Sequence, residues 1–454
     1  MTNAEQLALK HLAGAIAIPT VSSLGAAAEL VQFEAFRSYL KQQFPLVHSR
    51  ILCEAVCGDS LLYTWKGSGT GRPFALLAHQ DVVPVEAGTE ADWTHPPFSG
   101  TVDGTYIWGR GASDVKCMLL AILEAAETLL AQGYEPDRDI YFCFGHNEEV
   151  SVGGQDSGAA CMARLLAERG VHLEFVLDEG GAVLADSFMG IGKPLAAIGT
   201  AEKGYCDFQV SVEGPGGHAA EPPRETAVTQ LSRLLLALKP SKPRLTDAVS
   251  GMLKAIGAQK SGPLGFVLRH PRGFWPLLHL ALAGNKQTAA MLRTTCVATM
   301  LGASPQANVL PQKATAIFNA RILPGDTAEE LVARVRQRAA SMGIKAHAEI
   351  LCGNPPPKET PQDRPAFQRL AALSRELLGA IPMSYLVTGH TDSSEYAAVA
   401  EEIYRFYPFS LTYAELAGIH STDERLRCDS YLKGIDFLVQ FILQSSGGEA
   451  YGKQ

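Results

Sequence analysis

Short apolar runs alternate with stretches of helical period through the first 200 residues, the pattern of an α/β fold with a largely parallel sheet. FALLA (74–78), IYFCF (140–144), EFVL (174–177) and IYRFY (403–407) read as buried strands. MLLAILEAAETLLAQG (118–133) carries apolar residues at 119, 122, 123, 126, 129 and 130 and stops at Gly133, which predicts a helix. ALKHLAGAIAI (8–18) predicts a first helix ended by Pro19.

The pattern changes near IGTAEKGY (198–205). DFQVSVEG (207–214) alternates like a half-buried antiparallel strand, and a helix with Leu231, Leu234, Leu235 and Leu238 follows. Strand-like TTCVATML (294–301) and TAIFNARIL (315–323), a helix near 327–341 and a last strand AHAEILC (346–352) complete a β-α-β-β-α-β order. GNPPPK (353–358) then reads as a linker back to the first unit. The expectation is a first domain built from 1–202 and 354–454, with a smaller ferredoxin-like α+β domain inserted at 203–353. Residues 246–292 exceed what a hairpin connection needs.

Composition narrows the class. A chain of 454 residues exceeds one ordinary core, and 46% apolar content with 19% charge describes a packed globular protein. A net charge of −8 argues against a nucleic-acid partner. The apolar stretch FWPLLHLALAG (274–284) is too short to span a bilayer, so no membrane partner is expected. Nine scattered cysteines without a CxxC pair indicate neither a disulfide framework nor a zinc ribbon, and a cytoplasmic location fits.

Each apolar run leads to a side chain able to bind metal. FALLA delivers His79, with Asp81 two residues on; IYFCF leads to Glu148 and Glu149; EFVL runs into Asp178; the loop after IYRFY carries His420; GRGASDVK (109–116) adds Asp114. In open α/β sheets ligands gather at the carboxyl ends of strands, so these positions can converge. Taken singly, each has a bland reading: a hydrogen-bonded histidine beside a turn aspartate, a helix N-cap, two solvated glutamates. Five placements agreeing on one ligand set favour a pair of divalent cations. Because adjacent residues diverge, Glu149 can ligate while Glu148 faces the substrate water as general base. In the inserted domain GPGGHAAEPP (214–223) presents His218 for an oxyanion, and ANVLPQKATAIFNARILPGD (307–326) presents Asn308 and Arg321. The alternatives there are a turn histidine and a surface ion pair. GHTDSS (389–394) adds a glycine turn.

Together these segments resemble the dizinc aminoacylase, carboxypeptidase G and carboxypeptidase S metallopeptidase family, from IAIPTVS (16–22) to GIHSTDER (418–425). Within it they look most like the carboxypeptidase S and N-fatty-acyl-amino-acid hydrolase branch, through FVLDEGG (175–181), IGTAEKGY, NVLP (308–311) and NARILPGD (319–326). The resemblance implies two Zn²⁺: His79 and Asp178 on one, Glu149 and His420 on the other, Asp114 bridging, Asp81 orienting His79, Glu148 as base. It implies substrate contacts from His218, Asn308, Arg321 and Gly389, an inserted domain that is a lid and dimerisation unit, and a homodimer. The sequence departs from the family at Val115, at His390, and at Ser151 and Val152 ahead of the Gly153-Gly154 pair. In the family the peptide after the bridging aspartate is often cis.

The resulting expectation is a metal-dependent hydrolase that cleaves the amide of an N-acyl amino acid, or of a short peptide with a free carboxylate, through a zinc-activated water. Co²⁺ or Mn²⁺ suits the same ligands. A dipeptidase or carboxypeptidase is the rival within the class; outside it stands a catalytically silent metal- or metabolite-binding protein. No G-x-S-x-G elbow supports a serine hydrolase.

Overall fold

The computed structural model describes residues 1–22, 28–150, 157–188 and 190–447. Ser151 and Val152 lie outside them.

An eight-stranded sheet forms the centre. Its spatial order is Leu52–Val56, Ser60–Trp65, Ile140–Gly145, Phe74–His79, Leu173–Leu184, Ala400–Leu411, Leu195–Glu202 and Ile381–Val387. The Phe74–His79 strand runs parallel to both its neighbours, and Leu173–Leu184 runs parallel to Ala400–Leu411. Their carboxyl ends therefore open on one side of the sheet. Every residue of Phe74–His79 and Ile140–Gly145 is buried, which explains why these strands are continuous apolar runs rather than alternating ones.

Helices cover both faces. Asn3–Ile16, Lys116–Ala131, Pro365–Glu376 and Cys428–Ser445 share the principal core with one face, while Gly158–Glu168 packs on the other. The first helix starts earlier than its apolar run because Thr2 and Glu5 form a capping box. Lys116–Ala131 is buried through most of its length, as a central helix between layers must be.

The inserted segment forms a four-stranded antiparallel sheet in the order Thr295–Gly302, Lys313–Ile322, Gly204–Glu213, Ala346–Asn354. Helices Ala227–Ala237 and Ala328–Ser341 close its own apolar core. The β-α-β-β-α-β order is present. Residues 246–292 depart from a simple insertion, because helices Asp247–Ala258, Gly262–Arg269, Trp275–Leu282 and Lys286–Met291 join a third apolar cluster with Leu195, Ala197, Met383 and Leu386 of the large sheet. This stretch covers the sheet edge, which accounts for its length and its leucines.

The cysteine reading needs one correction. Cys117 and Cys143 are buried free thiols, but Cys57 and Cys161, 104 residues apart, are joined in a disulfide. Cys57 lies in the turn between the edge strand Leu52–Val56 and its neighbour Ser60–Trp65, and Cys161 in the helix Gly158–Glu168, so the bridge is set by tertiary packing and has no spacing signature. Because such bonds persist in oxidising compartments, the thiol argument for a cytoplasmic location falls away. Among the described residues no helix is long and apolar enough to cross a membrane.

Candidate metal centre

His79 ends its strand with its side chain buried, and both ring nitrogens face carboxyl groups. Nδ1 lies 3.4 Å from Asp81 Oδ1, and Nε2 lies 3.1 Å from Asp114 Oδ1 and 3.4 Å from Glu179 Oε1. The other oxygen of Asp114 sits 3.0 Å from His420 Nε2, which is also 3.2 Å from Glu149 Oε2. Asp114 thus stands between two imidazoles that are 341 positions apart in the chain.

Three devices hold these groups. Ser22 Oγ donates to Asp81 Oδ2 at 2.5 Å, and the same carboxylate accepts the backbone N–H of Glu148 at 3.2 Å and of Glu149 at 3.1 Å. Asp81 therefore fixes the strand exit that carries both glutamates as well as facing His79. The loop bearing Asp114 is held by buried Glu424, whose Oε1 accepts N–H bonds from Gly111, Ser113 and Asp114 at 3.0, 2.9 and 3.1 Å. Arg110 pairs with the other oxygen at 2.5 Å. The Asp114-Val115 peptide is cis, and His420 has φ 61°.

Asp178, one expected ligand, and its neighbour Glu179 lie in different surroundings. Asp178 is buried, and its Oδ2 accepts the Ser393 N–H at 2.7 Å. Glu179, the next residue, reaches His79. The strand continues through both positions, so alternation sends them to opposite faces. Gly181 permits the strand to continue here, because a Cβ would stand 2.0 Å from the Ala197 carbonyl oxygen.

Two sets of donor atoms lie within 4.8 Å of one another: His79, Glu148 and Glu179; and His79, Asp114 and Glu149. The protonation pattern is that of a centre with surplus negative charge. Burial alone would lower the His79 imidazole, but hydrogen bonds to Asp114, Asp81 and Glu179 carry it well above its ordinary value. Hydrogen bonds to Asp114 and Glu149 push His420 up to about 10. Burial, followed by the nearby Asp114 charge, raises Glu179 to about 7. Glu148 is also raised well above the usual carboxyl range, by burial and by the neighbouring Glu179, Asp392 and Glu149 charges. Glu149 Oε1 is buried with no hydrogen-bond partner among the described residues. Imidazole and carboxylate donors at these separations, with an orphaned buried oxygen among them, fit divalent cations of the zinc type.

This pattern has a measurable consequence in protein stripped of metal. His420, raised from 6.5 to about 10, contributes stability that is complete below about pH 6.5 and lost as pH rises through about 10. Glu179, raised from 4.5 to about 7, also binds its proton more tightly when folded, so its contribution falls between those values. Thermal unfolding in chelator is expected at progressively lower temperature from about pH 5 to about pH 10, with zinc restoring it. A Tm that climbs over that span contradicts this assignment.

The remaining sequence-derived residues lie on the inserted unit or in a turn. Exposed His218 and Val309 pair across a two-residue ladder, and Ala219 N donates to the Asn308 carbonyl at 3.0 Å, so His218 and Asn308 are neighbours. Arg321 ends its strand with the guanidinium 4.9 Å from the Tyr205 ring centre, and its Nη1 is buried with no partner among the described residues. Gly389 is exposed, with open space where a Cβ would project. His390, beside it, approaches buried Glu202 at 3.5 Å, and Glu202 pairs with fully buried Arg405. None of these joins the His79–His420 cluster directly. The sequence reading missed Glu179, Glu424, Arg110 and Ser22. Only Glu179 had a signal, as the second acid of LDEGG.

A mostly parallel α/β sheet with an imidazole–carboxylate cluster at its strand ends defines a metal-dependent hydrolase. The chain belongs to peptidase family M20/M25/M40, whose profile matches residues 75–444. It is 34% identical over 442 residues to the probable carboxypeptidase S-like 2 of Dictyostelium discoideum, covering 95% of this chain and 84% of that protein. It is also 34% identical over 449 residues to the N-fatty-acyl-amino acid synthase/hydrolase PM20D1 of Mus musculus, covering 96% and 88%. The fold matches an M20 family metallo-carboxypeptidase from Sulfolobus solfataricus, with TM-score 0.71 at 16% identity over 97% of this chain and 99% of that one. These relationships place the chain among metallopeptidase-type hydrolases acting on amide bonds of small molecules.

Proposed function

We propose that this protein hydrolyses the amide bond of N-acyl amino acids, with two zinc ions held by His79, Asp114, Glu179, Glu149 and His420. The observation that carries the reading is Asp114, whose two carboxylate oxygens face His79 and His420 separately. Such a carboxylate suits two cations about 3.5–4 Å apart. Asp114 and Glu179 with His79 would hold one ion; Asp114 and Glu149 with His420 would hold the other. Bound zinc supplies Lewis acidity and brings the pKa of coordinated water to about 7.

The chain's own residues do the rest. Glu148 accepts the proton of the attacking water and returns it to the leaving nitrogen. Asp81 keeps His79 oriented through Nδ1. Arg321 holds the substrate carboxylate, which would satisfy its unpartnered Nη1. His218 faces the carbonyl oxygen when the inserted unit acts as a lid, Asn308 supports that loop, and Gly389 leaves room for substrate at its turn. The mouse relative, an N-fatty-acyl-amino acid synthase/hydrolase by name, supports N-acyl amino acids as the substrate class.

One experiment tests the whole reading. Purified protein should hold two metal ions per chain and Glu179→Ala one or fewer, while Asp178→Asn retains both. Chelator should abolish turnover, and N-acyl amino acids should surpass dipeptides in kcat/KM. Activity indifferent to chelator, or confined to dipeptides, overturns it.

The homodimer rests on a separate observation. The edge strand Thr295–Gly302 exposes Val297, Met300 and Leu301 at 59, 61 and 70%. An unpaired apolar edge is a template for a second copy. Met300→Lys with Leu301→Lys is expected to convert a dimer to a monomer in sedimentation; wild-type protein that sediments as a monomer removes the proposal.

A further inference from the structure

We propose that a cavity in the inserted region, separate from the metal centre, binds a long-chain fatty acid with its tail inward and its carboxylate at the mouth. The cavity measures about 1330 Å³ and lies between the four-stranded unit and the helix Lys286–Met291. Its floor is apolar: Leu235, Leu238, Phe318, Leu331 and Val335 line it. Phe318 and Arg321 leave their strand on opposite faces, so the cavity opens away from the arginine assigned to substrate.

The mouth is cationic. Lys239, Lys242, Lys286, Arg293, Arg334 and Arg338 surround it, in a chain whose net charge is −8. Asp326, the acidic residue of the lining, is already engaged by Arg244 at 2.9 Å and by the Thr294 hydroxyl. Arg334 and Arg338 donate to neutral acceptors, the Ser241 hydroxyl and the Ala237 carbonyl, each at 3.2 Å. The Arg334 bond pins the 238–244 loop, which Pro240 and Pro243 stiffen, and the Arg338 bond holds the helix end before it; neither balances the positive charge. Lys239, Lys242 and Lys286 have no carboxylate partner among the described residues, and the Arg293 Nε is buried without a hydrogen-bond partner.

An apolar floor without charge would suit a neutral lipid, and charge without a floor would suit a small anion. The two together select one molecule with a long hydrocarbon chain and one anionic end. The start of the edge strand, Thr295 to Ala298, forms part of the cavity wall, whereas Met300 and Leu301 lie outside the lining.

Calorimetric titration of the full-length, metal-loaded protein with fatty acids below their critical micelle concentration tests the site. Palmitate is expected to saturate at one per chain, and affinity should rise roughly fourfold per methylene from octanoate upward. Methyl palmitate should bind at least tenfold more weakly than palmitate. Lys239→Glu/Lys242→Glu/Lys286→Glu alters solvent-facing side chains and should weaken palmitate by about tenfold. Ala290→Trp, which fills the cavity from its helical wall, should abolish binding in a protein with unchanged circular dichroism and metal content. No saturable binding by wild type, or equal binding by both variants, overturns the proposal. So does a change in sedimentation by the variants with palmitate affinity intact, which would give the cavity to a second copy.

Discussion

Glu148→Gln is expected to lower kcat by about 10²- to 10⁴-fold, the usual contribution of a positioned general base, while metal content stays at the wild-type value. The side chain lies within the donor set of His79 and Glu179, and its backbone is fixed by the Asp81 carboxylate. Glutamine keeps the volume and the hydrogen-bonding reach, so the fold and the ion-binding groups are preserved. In the metal-free protein burial and neighbouring carboxylates raise the Glu148 carboxyl well above its ordinary value. Two cations would reverse that field and leave it ionised and ready to take a proton. Stopped assays together with elemental analysis separate the outcomes. A variant that retains metal and wild-type turnover removes Glu148 from the chemistry; one that loses metal reassigns it as a ligand.

The second large effect concerns stability. Glu424→Ala is expected to lower the unfolding free energy by about 3–5 kcal/mol in urea titration, because it leaves the Arg110 charge buried without its carboxylate. It also strips three backbone N–H groups of their acceptor, including that of Asp114. The double variant Arg110→Ala/Glu424→Ala should lose clearly less than the sum of the two single changes, as expected of a directly interacting pair. It should stay poorly active, since the Asp114 loop has lost its anchor. Additive losses would show that the pair does not act as a unit.

Much of this architecture is legible in the sequence where local pattern and position coincide. His79, Glu148, Glu149 and His420 follow buried apolar runs, so the strand-end rule alone gathers them, and Asp114 precedes a long apolar helix. The β-α-β-β-α-β insertion is legible for the same reason: alternation and helical period follow in order. Which of Asp178 and Glu179 faces His79 is not, because it depends on the face of a continuing strand that each occupies. The strand is placed by pairing with Tyr404 and Arg405, more than 220 positions away. Residues 246–292 show their apolar character but not their address, since packing against Leu195 and Met383 has no periodic signature. The Arg110–Glu424 pair and the Cys57–Cys161 bridge are long-range contacts of the same kind.

The anchoring of Asp114 by Glu424 has a consequence for how the protein comes into being. During synthesis residues 1–400 emerge before the interior strand Ala400–Leu411 of the large sheet, and they contain neither His420 nor the acceptor that shapes the 110–114 loop. The two halves of the centre meet only once the chain has emerged past residue 424. A shorter nascent chain therefore lacks part of the donor set and the anchor of its loop.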